Sequence, residues 1–163
     1  MRLGYTMMSG RGDVDLLLAA LADRLADQGV RVAGVVQINT ECGPDRPCDM
    51  DLRILPDGEV LRISQSLGAG ARGCRLDAEA LELAVAATSR GLSKADLLVV
   101  NKFGKHEAQG RGFRPLIAEA MAAGTPVLCG LNGANLEAFQ AFTEGVAEAV
   151  EPDLDALTAW ALA

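Results

Sequence analysis

Three apolar runs constrain this chain more than anything else in it: VRVAGVVQI at 30–38, ADLLVVN at 95–101 and TPVLCGL at 125–131. The second is continuously apolar from Leu97 to Val100, and the third is nearly so. A strand of that kind needs cover on both faces, which is the situation of a parallel strand sandwiched between helices. LGYTMM at 3–8 reads as a short first strand. From Val14 onward, Val14, Leu17, Leu18, Leu21 and Leu25 follow helical spacing. Asp13 is the expected N-cap of that helix and Gly29 its expected stop. Strand, helix and strand in that order form a βαβ unit. The fold class is therefore α/β.

The rest of the chain fits around this frame. Residues 39–49 are turn chemistry, and MDLRIL and EVLRIS flank Pro56-Asp57-Gly58 as a β-hairpin would. Asp77 is placed to cap a helix that runs to about Arg90 and ends at Gly91. Pro115 suits the first turn of a further helix that stops before Gly124. NLEAFQAF is a short helix and DLDALTAWALA a terminal one. No repeat or linker divides the 163 residues, so residues 1–163 are expected to form one domain. Only 4% of residues are aromatic, so the core is expected to be Leu, Val, Ile and Ala.

A net charge of −7 argues against nucleic-acid binding by bulk electrostatics. No apolar stretch reaches the roughly 20 residues of a membrane span, and the first residues carry no signal-peptide core. The expected location is the cytoplasm, where cysteines stay as thiols.

The chemistry concentrates in Gly-rich loops that follow strands. In open parallel sheets, ligands bind beyond the carboxyl ends of the strands, so loops 8–13, 65–77 and 101–113 are expected to meet there. The last reads NKFGKHEAQGRGF and holds the chain's one histidine. It is either a solvated loop, an anion pocket or a hydrolase site. For an anion pocket, Lys102, Lys105 and Arg111 supply charge, and glycine N–H groups, Gly104 included, can form a nest beside Asn101 and Glu107. Gln65, Gly70, Arg72, Gly73 and Arg75 of the second loop could complete it, since an arginine fork grips two oxygens at once. For a hydrolase, Glu107 or His106 would be the base. Cys48 and Cys74 are candidates for a soft-metal or reversible-disulfide pair, whereas Cys129 reads as a small buried hydrophobe.

SGRGDVD after the first strand, RVAGVVQ and ADLLVVNKFGKHEAQGRGF together resemble the small P-loop nucleoside-triphosphatases of the THEP type. The resemblance implies a three-layer, P-loop-NTPase-like, mainly parallel sheet with an inserted β-hairpin. It also implies that Gly10 and Gly12 belong to a phosphate loop. The chemistry departs from that pattern. Asp13 and Val14 stand where the lysine and the Ser/Thr of G-x-x-x-x-G-K-[ST] belong, and Asn101-Lys102 replace two acids. CDMDL, ISQSLGAGARGCRLD and NKFGKHEAQGRG resemble, in addition, an uncharacterised bacterial family often encoded near molybdate-transport genes.

The expectation is a binding module on a degenerate nucleotide site. It would hold a small oxyanion, molybdate or tungstate by the family context. The alternative is a divergent Mg-nucleotide hydrolase using Glu107 and a metal on Asp13 or Asp15. The partner expected is a small anion, with no nucleic acid and no membrane, and an Ala-rich surface makes a homodimer a further expectation.

Overall fold

The structure is a computed structural model that describes residues 1–41, 49–65 and 76–163. Seven strands form one sheet in the order β4-β3-β2-β5-β6-β1-β7. They are β1 (Leu3–Met7), β2 (Val32–Thr40), β3 (Asp49–Leu55), β4 (Val60–Arg62), β5 (Leu97–Val100), β6 (Val127–Leu131) and β7 (Glu148–Ala149). Strands β2, β5, β6, β1 and β7 run parallel, and β3 and β4 add an antiparallel hairpin at one edge. The helices are α1 (Asp13–Asp27), α2 (Ala78–Leu92), α3 (Lys105–Ala108), α4 (Arg114–Ala123), α5 (Leu136–Phe142) and α6 (Leu154–Leu162).

The apolar runs are central strands covered on both faces, as their composition requires. Along β5, Leu97 and Val99 pack with Leu18, Leu21 and Leu25 of α1 and Leu157 of α6. Leu98 and Val100 pack on the other face with Leu81 of α2, Ile117 of α4 and Phe139 of α5. Helices thus lie on both sides of one sheet. Gly34 of β2, with φ +124°, lies so close to β5 that a Cβ there would fall 1.8 Å from the Val99 carbonyl oxygen.

Cys129 is fully buried in β6, and burial pushes its thiol well above the ordinary range. Iodoacetamide on the native protein should leave the Cys129 peptide unlabelled, and label it after unfolding. Peptide mass spectrometry reads this directly, and native labelling would show that β6 is not packed as described.

Several boundaries differ from expectation. Asp13 is the first helical residue of α1, and its side chain caps nothing; Gly12, at φ +78°, takes the N-cap place because it alone there accepts the left-handed turn. β2 runs on to Thr40, since pairing with β3 carries it through Asn39 and Thr40. α2 passes Gly91 to end at Leu92, which is buried and holds the last turn down. Asp77 caps α2, accepting from Glu79 and Ala80 N–H at 3.0 and 3.2 Å. Pro115 stands in the first turn of α4, and Gly124 closes it at φ +79°.

Candidate functional site

The carboxyl ends of β2, β5 and β6 share one edge of the sheet, with the β3–β4 hairpin folded beside them. A cleft of about 260 Å³ opens there. Its floor is apolar: Met50, Leu52, Ile63, Leu76, Leu81 and Phe113. Its polar lining is Gln37, Asn101, Lys102, Lys105, His106, Asn132 and Asn135, of which Gln37 and Asn101 are buried.

The loop after β5 is anchored from below. Phe103 is wholly buried, packs edge-on to Phe139 at 5.1 Å and stacks on Phe142 at 5.7 Å. Its N–H donates to the Gly130 carbonyl at 3.0 Å. With Phe103 turned into the core, its neighbours Lys102 and Gly104 line the cleft. Lys102 is half-buried and Lys105 exposed. Neither makes an ion pair among the described residues.

Glu107 is 3% exposed and faces its own loop. Its Oε2 accepts the Gly104 N–H at 3.0 Å and its Oε1 the Phe113 N–H at 3.3 Å. Gly112, at φ +60°, gives it room: a Cβ there would stand 2.4 Å from Oε1. The carboxylate therefore braces residues 104–113 with both oxygens committed. Burial pushes its pKa up, against the lowering effect of those backbone N–H groups and of His106. A carboxyl whose folded pKa is raised binds more protons folded than unfolded, so its contribution to stability falls as pH climbs above the ordinary glutamate value of about 4.3. Urea denaturation of wild type and Glu107→Gln should therefore show the wild type losing ground to the variant between pH 4 and pH 7. A constant gap would show that burial does not act on this group.

On the other side of the sheet edge lies a second polar assembly. Asp15, in the first turn of α1, is 3% exposed. Its Oδ2 accepts from Asn39 Nδ2 at 2.8 Å. With the Asn101 amide oriented to suit its neighbours, Asn101 donates to Asp15 Oδ1 at 2.9 Å and accepts from Gln37 N–H at 2.8 Å. Gln37 Nε2 in turn donates to Asn39 Oδ1 at 2.9 Å. The position expected to hold a metal-binding acid at the end of β5 is thus an amide, and it bonds a carboxylate from α1. Asp15, Gln37 and Asn39 were absent from the anion pocket expected from the sequence. The signal was there in part, since Gln37 and Asn39 are two polar residues of one parity closing a buried strand.

The structure brings Asn101, Lys102, Gly104, Lys105, His106 and Glu107 to the cleft. Gly10 and Gly12 are not among its described lining residues; a Cβ on Gly10 would meet the Asp13 carboxylate at 1.8 Å, and one on Gly12 would lie 3.6 Å from Asn39. Arg111 is exposed and donates to Gln109 Oε1 at 2.5 Å. Gln65 is exposed beside the cleft, donating to the Leu76 carbonyl at 2.8 Å. Gly70, Arg72, Gly73, Arg75, Cys48 and Cys74 lie outside the described residues. Asn132 and Asn135 also line the cleft; the sequence places Asn135 at the start of a short helix and gives Asn132 no role. Among the described residues, no group of three or more His, Cys, Asp and Glu side chains is placed to hold a metal ion. No helix among them is long and apolar enough to cross a membrane.

A sequence model of the family described as "Protein of unknown function (DUF2478)" matches residues 3–160. The chain belongs to the DUF2478 family. This DUF2478 chain is 38% identical over 160 residues to the Molybdenum import ATP-binding protein ModC 2 of Bradyrhizobium diazoefficiens. That match takes in 98% of this chain and 18% of the relative, so the chain spans less than a fifth of that protein's length. In structure, the DUF2478 chain is similar to a human cancer-related nucleoside triphosphatase solved in solution. The TM-score is 0.65 at 21% identity, covering 91% of this chain and 87% of the other. The fold is thus P-loop-NTPase-like α/β, as expected from the sequence.

Proposed function

We propose that this chain is a ligand-binding domain that seats an oxyanion group at the mouth of the cleft, on a nucleotide-binding fold that no longer hydrolyses. The observation that carries the reading is the pair Lys102 and Lys105, cationic at the rim of an apolar cleft and without a carboxylate partner among the described residues. Paired lysines with no counter-ion attract an anion and gain most where water is partly excluded. His106 adds a third nitrogen. The relative is named a molybdenum import ATP-binding protein, which supports molybdate as the first oxyanion to test, with tungstate as its chemical analogue, and an accessory role in handling it.

The alternative is a Mg-nucleotide site at the loop before α1. It has one specific support: the N-terminus of α1, a helix of 15 residues, carries no side-chain cap, which leaves amides free for phosphate. Asp13 and Asp15 oppose it by adding negative charge to that turn, and Asp15 already has both oxygens bonded.

A thermal-shift panel on metal-stripped protein separates the two. Molybdate, tungstate, phosphate and phosphate-bearing organic anions are compared with MgATP and MgGTP. A ligand at 100 times its Kd stabilises by about 2.7 kcal/mol, or about 5 to 10 °C here. The reading expects a shift with an oxyanion-bearing ligand that Lys102→Ala/Lys105→Ala removes, at about tenfold in affinity per lysine, or about 1.4 kcal/mol each. A shift confined to Mg-nucleotide and indifferent to both lysines would establish the alternative instead.

A further inference from the structure

Resting on that anion-binding reading, we propose that the ligand is an organic anion with a flat aromatic body, its oxyanion group at Lys102 and Lys105 and its ring on the apolar floor.

Three observations carry this. The first is size. The cleft holds about 260 Å³, close to the lower end of small-molecule pockets, roughly 300–1,000 Å³. A bare tetrahedral oxyanion would occupy the mouth and leave the rest unfilled. The second is the chemistry of the floor. Met50, Leu52, Ile63, Leu81 and Phe113 offer an oxyanion nothing but desolvation. They suit a ring, since thioether and aromatic side chains contact aromatic rings favourably. The third is a polar pair in the lining. Asn135 Nδ2 donates to Asn132 Oδ1 at 2.9 Å. This leaves the Asn132 amide N–H₂ and the Asn135 carbonyl without a bond among the described residues. They give the lining a free donor and a free acceptor for a polar group on the ligand. Charge, an apolar floor and a free donor and acceptor within one cleft describe an organic ligand rather than a compact ion.

The experiment is isothermal titration calorimetry on the full chain without Mg²⁺, using four probes: molybdate, inorganic phosphate, 1-naphthyl phosphate and guanosine 5′-monophosphate. At least one aromatic phosphate is expected to bind tenfold or more tighter than molybdate and phosphate. Met50→Ala should weaken the aromatic phosphates threefold or more and leave the inorganic anions unchanged, because only a ring reaches the floor. Lys102→Ala should weaken every probe that binds. Circular dichroism checks that both variants are folded. Molybdate or phosphate binding as tightly as both aromatic phosphates would overturn the organic-ligand inference while supporting the oxyanion reading. Aromatic binding that ignores Met50→Ala would place the ring elsewhere and overturn it too. Failure of all four probes to bind, or binding insensitive to Lys102→Ala, would overturn both.

Discussion

Gly34→Ala should abolish the folded protein. Two independent obstacles meet at this position. The backbone stands at φ +124°, a region that an L side chain rarely adopts. The added methyl would also lie 1.8 Å from the carbonyl oxygen of Val99, and 2.8 and 2.9 Å from that residue's C and N. A flexible side chain could move aside at such a distance, but this is the backbone of the adjacent central strand. Gly34 is paired on both sides, with Leu55 on β3 and Val99 on β5. Relief in either direction breaks a ladder. The cost should exceed about 4 kcal/mol, a large share of the 5–15 kcal/mol that holds a domain together. Expression should yield insoluble or molten protein, seen as lost near-ultraviolet dichroism and no cooperative urea transition. A well-folded variant would mean that β2 and β5 do not approach as described.

Asp15→Ala should cost about 1 to 4 kcal/mol. The variant would remove an acceptor from two amide groups, Asn39 Nδ2 at 2.8 Å and Asn101 Nδ2 at 2.9 Å. Asn101 is buried, and a buried donor left unpaired costs about 1–3 kcal/mol, whereas the exposed Asn39 can turn to water. Losing a carboxylate from the first turn of α1 adds about 0.3–1 kcal/mol. Asp15→Asn should cost less, because its carbonyl can still accept from one of the two amides. The decisive comparison is the double variant. Asp15→Ala in an Asn101→Ala background should cost at least 1 kcal/mol less than in wild type, because one of the stranded donors is gone. Urea midpoints for the four proteins measure this. Additive costs would show that Asp15 and Asn101 do not share a bond.

The frame of this fold is legible because it rests on local signals. The run 97–100 is apolar on both parities, and that is what helices on both faces of β5 demand. Pro56-Asp57-Gly58 turns the hairpin, and Asp77 and Pro115 mark where helices begin. What stayed hidden depends on distant meetings. Asp15 looks like an ordinary first-turn acid until Asn39 and Asn101 arrive from two strands. Glu107 looks like a free base in an open loop. Its inward turn depends on Gly112 adopting φ +60° and on Phe103 and Phe113 burying the ends of the loop. Asn132 follows an apolar strand as a turn residue would, and nothing local signals that its amide faces the same cleft as Lys102. Chemical composition of the site was readable in the 101–113 loop, whereas its assembly was a property of the sheet order.

That sheet order also governs when the chain can fold. β1 is flanked by β6 and β7, with Leu3 opposite Val127 and Gly4 opposite Glu148. β1 therefore waits for the last third of these 163 residues before it gains either neighbour. At about 5–20 residues per second, synthesis of the intervening chain takes roughly 6 to 25 s. Over that interval β1 has both edges open, and α1 lacks the β6 and α6 residues it packs against. Contacts this remote in sequence also slow closure once the chain is complete. β2, β3 and β5 can pair earlier, so the nascent chain would assemble from its middle outward and accept its own first strand last.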